Sequence, residues 1–335
     1  MHVVFDLSNC KDVLFFQPMI QGVRAAGCRV SLVSRDWDEL NVVREHFGMS
    51  AALLGTYGGQ SLLDKLFSSS ERVSLLASHF ARQRPNVVVT LTHPDSARAA
   101  FGLQIPLVCF ADIPEARATA RLTFPLASKI CAPWILPRRE FVRHGVAPDD
   151  VFFYRALDPV LWLRDRVIDD GYLSRLGLDR QRPIVVCRET EWQSAYARSD
   201  IVAAVTLQLH RRHPDWQFVS IPRYRPHPFY DVSSLLAHAH LLIGGGGTMC
   251  IEAAYYGTPV IATRGTPSRY MQWLFDRRLA VKCLSVPVAV RRAEAIIARR
   301  TTSSAQAARQ RARGIFRKMR FPLEAVVDVV LRTAR

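Results

Sequence analysis

The stretch IGGGGTMCIEAAYYGTPVI, from Ile243 to Ile261, holds four consecutive glycines between an apolar run and a helix-like segment. Thr248 and Glu252 follow at i and i+4, on one face of that helix. Glycines at a strand-to-helix turn allow unusual dihedrals and let a bulky anion approach the backbone. The first amides of a helix lack internal acceptors, and the helix dipole adds positive charge there. Gly245, Gly246 and Gly247 with Thr248 therefore form a candidate phosphate cradle, and Glu252 can accept hydrogen bonds from a ribose diol. That is the pattern a nucleoside diphosphate requires. The run matches neither a P-loop nor a G-x-G-x-x-G fingerprint, and the competing reading is a turn packed closely under a neighbouring strand.

Other residues with usable chemistry fall where strand-like runs end. In CRETEWQSAY, Arg188 presents a planar fork suited to a diphosphate, Glu189 and Glu191 suit sugar hydroxyls, and Trp192 suits stacking; a surface salt-bridge cluster is the alternative. In SIPRYRPHPFY, Arg223 and Arg225 are phosphate candidates, against a solvated Pro-rich loop. Asp12 in SNCKDVLFF is either a general base or the cap of the helix that follows. His93 and Ser96 in THPDSARAAFG line an acceptor side or, for Ser96, cap a helix. Asp112 and Glu115 are similarly placed. The pairs His210/His213 and His238/His240 lack partner ligands at metal-binding spacing, so no metal site is expected.

These residues need a scaffold that collects strand ends. Short β-like runs alternate with helix-like stretches, and runs such as NVVVTL are apolar at successive positions, as in strands covered on both faces. The alternation predicts an α/β protein with two Rossmann-like, doubly wound parallel-sheet domains. It stops over a charged, strand-free stretch. The expected organisation is residues 1–160 as an N-terminal domain, 161–182 as a linker, and 183–335 as a C-terminal domain that carries the glycine loop and ends in Arg-rich helices. In such sheets ligands sit beyond the carboxyl ends of strands. Two domains facing across a cleft would place the working site between them.

The 335 residues suit about two domains, and a hydrophobic content of 49% with 22% charged residues is that of a globular protein. MHVVFDLSNC lacks a basic n-region, and no apolar run nears the ~20 residues of a spanning helix. Seven scattered cysteines without a C-x-x-C pair fit reduced thiols. A cytoplasmic protein is expected. The net charge of +16 favours phosphate-bearing or other polyanionic partners, or else reflects an arginine-rich proteome. No nucleic-acid module is visible, so no specific nucleic acid is expected. Leu62, Leu63, Leu66 and Phe67, with Lys65, Arg72, Arg82 and Arg84 nearby, read either as an apolar patch rimmed with basic residues for an anionic membrane or as an ordinary packed helix.

GGGGTMCIEAAYYGTPVI resembles the nucleotide-binding segment of GT-B enzymes, including MurG-type glycosyltransferases and the UDP-N-acetylglucosamine 2-epimerases. A nearer resemblance is to a prokaryotic family of unknown function with the same fold, carried by FDLSN, FFQPMI, HFG, LQIPLV and RLTFPLASKICAP. The resemblance implies diphosphate binding by the glycine loop and ribose binding by Glu252. It places Arg223 near the nucleotide, Ser268, Arg269 and Gln272 near the sugar and distal phosphate, and Asn9 and His93 on the sugar or acceptor side. That family carries a His where this chain has Asp12, in a loop that faces the acceptor in related transferases. Asp12 is accordingly the expected catalytic base.

The function these features imply is metal-independent transfer of a sugar, without a cofactor, from a nucleotide-diphospho-sugar to a glycan or lipid-linked acceptor. A UDP-sugar is the expected donor, and peripheral contact with the inner face of the membrane is the expected route to a lipid-linked acceptor. The alternatives are a nucleotide-sugar 2-epimerase-like enzyme and a non-catalytic polyanion-binding protein.

Overall fold

A computed structural model of the chain describes residues 1–190, 201–225, 227–264 and 268–335. They divide into two compact units, Met1–Trp162 with Arg320–Arg335, and Leu163–Met319. In chain order the first unit holds β1 (His2–Leu7), α1 (Cys10–Ala25), β2 (Arg29–Asp36), α2 (Asp38–His46), β3 (Ala52–Thr56), α3 (Leu62–Gln83), β4 (Val87–Thr90), α4 (Pro94–Gly102), β5 (Leu107–Phe110), α5 (Arg117–Arg121), β6 (Lys129–Pro133), α6 (Arg139–Val142) and β7 (Val151–Tyr154). Helix α7 (Pro159–Leu163) leads out of it. The second unit holds α8 (Tyr172–Arg175), β8 (Ile184–Arg188), α9 (Val202–Arg212), β9 (Gln217–Ile221), α10 (Val232–His238), β10 (Leu241–Gly244), α11 (Thr248–Tyr256), β11 (Val260–Ala262), α12 (Arg269–Asp276), β12 (Val281–Lys282), α13 (Val286–Ala298) and α14 (Ser303–Arg317). The last helix, α15 (Leu323–Thr333), returns to the first unit.

Both sheets are parallel, with strand orders β3-β2-β1-β4-β5-β6-β7 and β12-β11-β10-β8-β9. Each chain path winds outward from one strand, then crosses back to that strand's other side. The reversals fall between β1 and β4 and between β8 and β10. The central strands are buried along their whole length, so both faces must be covered by helices. Phe5, Phe15, Phe16 and Phe110 fill the first core with tilted and edge-on ring pairs. In the second, Val185, Val205, Leu209, Ile243, Ala293 and Ile297 join β8 and β10 to α9 and α13. No described helix is long and apolar enough to cross a membrane.

The end of the chain departs from the expected 183–335 domain. Val326, Val327 and Val330 of α15 are buried, and the helix packs on α1 of the first unit. Gly22 makes this possible: a Cβ there would lie 3.0 Å from Val327 Cγ2, so the missing side chain admits the returning helix. Phe321 anchors the approach, its ring 5.8 Å from Phe15 and 4.7 Å from Tyr154.

Helix α3 also differs from expectation. Its buried residues, Arg72, Leu76 and Phe80, recur at i, i+4 and i+8, so Arg72 points inward. Arg72 Nη2 donates to Asp6 Oδ1 at 2.6 Å and Nη1 to Asp6 Oδ2 at 3.1 Å, and Nε donates to the Leu54 carbonyl at 3.0 Å. Asp95 Oδ2 lies 3.6 Å from Nη1. Ser8 and Ser96 hydroxyls complete the Asp6 shell. Burial pushes the Asp6 pKa up. The Arg72 charge and hydrogen bonds, with His93 and Ser96, outweigh it and bring the carboxyl down to about 2.

Arg72→Met leaves Asp6 buried without its counter-charge and is expected to cost about 3–5 kcal/mol of unfolding free energy in a urea titration. Adding Asp6→Asn should recover part of that loss, and no recovery would refute the pairing. Since the folded pKa is depressed, the Asp6 contribution is full above its unfolded value of about 3.9 and fades as pH falls toward 2.

Candidate functional site

In the second unit, the ends of β8 and β10 lie side by side, with Gly244 paired to Arg188. The four glycines bridge β10 to α11 and serve different purposes. A Cβ on Gly245 would overlap Thr190 Cγ2 at 1.9 Å, so that residue is glycine for packing. Gly246 and Gly247 have φ of 103° and 105°, values L side chains rarely adopt. Gly247, the N-cap of α11, has ψ of −163° and open space where a side chain would stand. Among the described residues the positive end of the helix therefore opens beside Gly247, while within the first turn the Cys250 N–H is already bonded to the Gly247 carbonyl at 3.1 Å. Thr248 opens the helix half-buried, and Glu252 is buried one turn on.

The arginines are more constrained than the sequence suggested. Arg188 donates through Nη1 to the Ile221 and Pro222 carbonyls at the end of β9. Glu189 receives the Arg223 backbone N–H at 3.0 Å and pairs with Arg225, while Arg223 Nε donates to the Glu189 carbonyl at 3.0 Å. These bonds stitch the loops after β8 and β9 together beside the glycine loop. Glu191 and Trp192 lie outside the described residues. Ser268 caps α12 by accepting the Met271 N–H, Arg269 is exposed, and Gln272 bonds down its own helix to Asp276 at 2.7 Å. The loop that links β11 to this helix is described up to Arg264.

In the first unit, the loops after β1 and β4 meet at the sheet's reversal. Asp12 Oδ2 accepts the Ser8 N–H at 2.7 Å and the Asn9 N–H at 2.8 Å, and lies 2.7 Å from His93 Nε2. Asp12 Oδ1 is buried without a hydrogen-bond partner among the described residues. A carboxylate only accepts, so Nε2 carries the proton, and in the neutral ring Nδ1 holds the lone pair. Burial pushes the His93 pKa down; the charge and hydrogen bond of Asp12, then the charge of Asp6, outweigh it and raise it. Thr92, immediately before His93, sits at φ 54°, an outlier for a β-branched residue, with its hydroxyl tied to the Phe110 carbonyl at 2.8 Å. Arg35 steadies the facing loop by donating to the Ser8 carbonyl at 2.8 Å and Asn9 Oδ1 at 3.0 Å. Lys11 holds Asp112 and Asp158, each at 2.7 Å.

Asp12 is therefore placed differently from the expected base. It is 0% exposed, it receives the amides at the start of α1, and its remaining partner is His93. It cannot reach a substrate hydroxyl; His93, at 9% exposed, is the group of the pair nearer solvent. Ser96 does not cap α4 and bonds Asp6 instead. Asp12 and His93 are separate candidates in the sequence, and their pairing spans 81 residues. Asp6, Arg35 and Lys11 are not among the candidates the sequence offers, and Arg72 is one only for a basic rim. The available signal was topological: in a doubly wound sheet the loops after the first and fourth strands are neighbours. Among the described residues no group of three or more His, Cys, Asp or Glu is placed to hold a metal ion.

Two parallel sheets of seven and five strands with these strand-end sites have the architecture of GT-B glycosyltransferases and their epimerase relatives. Residues 1–303 match the family described as proteins of unknown function (DUF354), and the chain belongs to that family. An uncharacterized protein of Methanocaldococcus jannaschii is 29% identical over 280 residues, covering 78% of this chain and 81% of that protein. Among solved structures, the UDP-GlcNAc 2-epimerase of Neisseria meningitidis bound to UDP-GlcNAc superposes with a TM-score of 0.75 at 14% identity, over 99% of each chain. The glycosyltransferase VinC in complex with dTDP gives 0.62 at 16% identity, over 100% of this chain and 99% of that one.

Asp12→Asn keeps the shape and an acceptor oxygen for the two amides but removes the charge beside His93. The His93 pKa, followed by NMR of its ring protons, should fall from its raised position toward or below the ordinary ~6.5. An unchanged titration would show that Asp12 does not set the protonation of His93.

Proposed function

We propose that this protein is a glycosyltransferase that takes a sugar from a nucleotide-diphospho-sugar, a UDP-sugar in the first instance, and passes it to a glycan or lipid-linked acceptor. The second unit binds the donor. The diphosphate lies against the first-turn amides of α11 beyond Gly246 and Gly247, Thr248 contacts a phosphate, and Glu252 holds the ribose. Arg188 and Arg223 supply positive charge as the diphosphate leaves. The first unit handles the proton: His93 Nδ1 takes it from the attacking hydroxyl, while Asp12 fixes the ring's tautomer and stabilises the imidazolium that forms. The observation that carries this reading is the glycine loop, with two successive positive-φ glycines opening onto an uncovered helix start at the sheet's reversal.

A second reading, a 2-epimerase-like enzyme acting on the same donor, is favoured by the higher TM-score to the Neisseria epimerase, 0.75 against 0.62 for the transferase. The two separate in one experiment. UDP-sugars are incubated with the protein, with and without candidate acceptors, and free UDP and sugar stereochemistry are followed. UDP release that depends on acceptor supports transfer; stereochemical change without acceptor supports epimerisation; neither, with no nucleotide-sugar affinity, leaves a polyanion-binding protein.

The acceptor reading draws on α3. Leu62, Leu63, Leu66 and Phe67 are 58–73% exposed. Of the basic residues expected around them, Lys65 lies within the patch and is half-buried, Arg72 is buried, and Arg82 and Arg84 stand near the other end of a 22-residue helix, roughly 20–30 Å away. Contact with a membrane therefore depends mainly on apolar insertion, with Lys65 the nearby member of the expected rim.

Three outcomes are expected. Glu252→Gln should weaken UDP binding by about 1.5–3 kcal/mol, the worth of a charged hydrogen bond, and affect turnover less; equal affinity would remove Glu252 from the ribose. The acidic limb of the transfer rate should lie above the ordinary histidine pKa of about 6.5 because His93 must lose its proton, and Asp12→Asn should move it down. Leu66→Ser with Phe67→Ser should abolish sedimentation with phosphatidylglycerol vesicles in 0.5 M salt; co-sedimentation of the wild type only in low salt would refute apolar docking.

A further inference from the structure

At the opposite end of α11 from the glycine loop, the second unit holds a concentration of positive charge that the donor reading does not use. We propose that a pocket between the C-terminal end of α11 and helices α13 and α14 binds a compact polyphosphate anion, gripped by Arg278, Arg292, Arg299, Arg300 and Arg309. This site is separate from the donor site and does not rest on that assignment.

The pocket has a volume of about 270 Å³, and all five arginines line it together with His240. That volume lies just below the ~300–1,000 Å³ of sites for drug-sized ligands, which suits a di- or triphosphate group better than a whole nucleotide sugar. None of the five arginines makes an ion pair among the described residues; Arg300 Nη1 donates to the Ile297 carbonyl at 3.2 Å. Arg300 and Arg309 are half-buried, and Arg278, Arg292 and Arg299 are exposed at the edge. Several guanidinium groups around one concavity repel each other, and a multivalent anion both offsets that repulsion and uses their planar donors.

The fold fixes this arrangement. Gly257 ends α11 at φ 78°, and a Cβ there would lie 2.8 Å from the Arg309 carbonyl oxygen. Only glycine permits α14 to pack so close, and this contact sets Arg309 over the pocket. Ser304 and Ala305 in the first turn of α14 also line it, adding the positive end of a 15-residue helix. His240 reports the field. Its Nδ1 accepts the Ile184 N–H at 3.1 Å, which requires an uncharged ring, and burial followed by the charges of Arg309 and Arg300 lowers its pKa to about 4. Along α11 the site lies roughly 13 Å from the glycine loop, at the amino ends of β11 and β12 rather than at the carboxyl ends where the donor would sit.

Calorimetric titration of the full chain with inorganic tripolyphosphate, and separately with ATP, tests the assignment. Arg300→Gln with Arg309→Gln should weaken tripolyphosphate binding by roughly ten- to a hundredfold or more, the loss of charged hydrogen bonds. Arg24→Gln with Arg98→Gln removes the same charge from exposed positions of the first unit and should leave affinity within about twofold. Arg292→Gln and Arg299→Gln, at the exposed edge, provide the same test if the half-buried pair disturbs folding. Equal affinities for tripolyphosphate and ATP would mark the phosphates alone as the ligand, and tighter ATP a nucleoside polyphosphate; in both cases the loss must follow the pocket variants. Equal loss in pocket and control variants, or no loss in folded pocket variants, would overturn the proposal.

Discussion

A parallel sheet that winds outward in both directions must leave two adjacent strands whose following loops depart to opposite faces, and a crevice opens at their carboxyl ends. This chain meets that constraint twice, between β1 and β4 and between β8 and β10. The polar groups nearest each reversal are a consequence of it. Asp12 follows β1 and His93 follows β4; Arg188 ends β8 and the glycine loop follows β10. The two crevices are filled differently. The first is packed with paired charged side chains, with Asp12 Oδ1 left without a partner among the described residues, whereas in the second the position of a side chain on Gly247 is open.

The first crevice holds two carboxylates away from water. Asp6 and Asp12 are both fully buried, and each is held by a different kind of partner. Asp6 has a guanidinium on both oxygens. Asp12 has two backbone amides and an imidazole on one oxygen. The guanidinium stays charged at every accessible pH, so Asp6 is structural. The imidazole changes charge near neutrality, so the Asp12 pair is the one in the crevice that can exchange a proton with a ligand. The strained Thr92 and the arginine-bonded loop carrying Ser8 and Asn9 hold both members of that pair from either side. One oxygen of Asp12 thus receives the amides at the start of α1 and the His93 ring, so the cap reading of Asp12 open in the sequence is the one its bonds fulfil.

The alternation of strands and helices, the positions of most elements and the strand-to-helix glycine turn were legible because each rests on local periodicity and turn chemistry. Partnerships between distant residues were not. Arg72 looked like a surface arginine because it sits among charged and small residues; its inward direction comes from the i, i+4, i+8 stripe it shares with Leu76 and Phe80. The return of α15 to the first unit had one trace in the sequence, a glycine inside α1 at position 22, whose reason is a contact with Val327 more than 300 residues away. The glycine run itself was read as one device, yet Gly245 answers to packing against Thr190 and Gly246 and Gly247 to backbone conformation. The packing reading of the loop therefore holds at Gly245, while Gly246 and Gly247 are glycine for their backbone conformation.

The charge of the chain takes on a different meaning once these positions are known. A net charge of +16 invites the idea that arginines bind the donor's phosphates. Yet the glycine loop offers backbone dipoles, and Arg188 and Arg223 already hold carbonyl groups of neighbouring loops. A diphosphate at α11 would draw first on amides that are fixed in place before it arrives, which costs less reorganisation than recruiting long side chains. A group of five arginines without acidic partners among the described residues stands at the other end of the same helix. At the exposed leucines of α3, Lys65 is the one member of the expected rim in place, with Arg72 buried and Arg82 and Arg84 remote. The excess charge is therefore neither spread evenly nor gathered at the donor loop, and a general affinity for polyanions does not account for where it is placed.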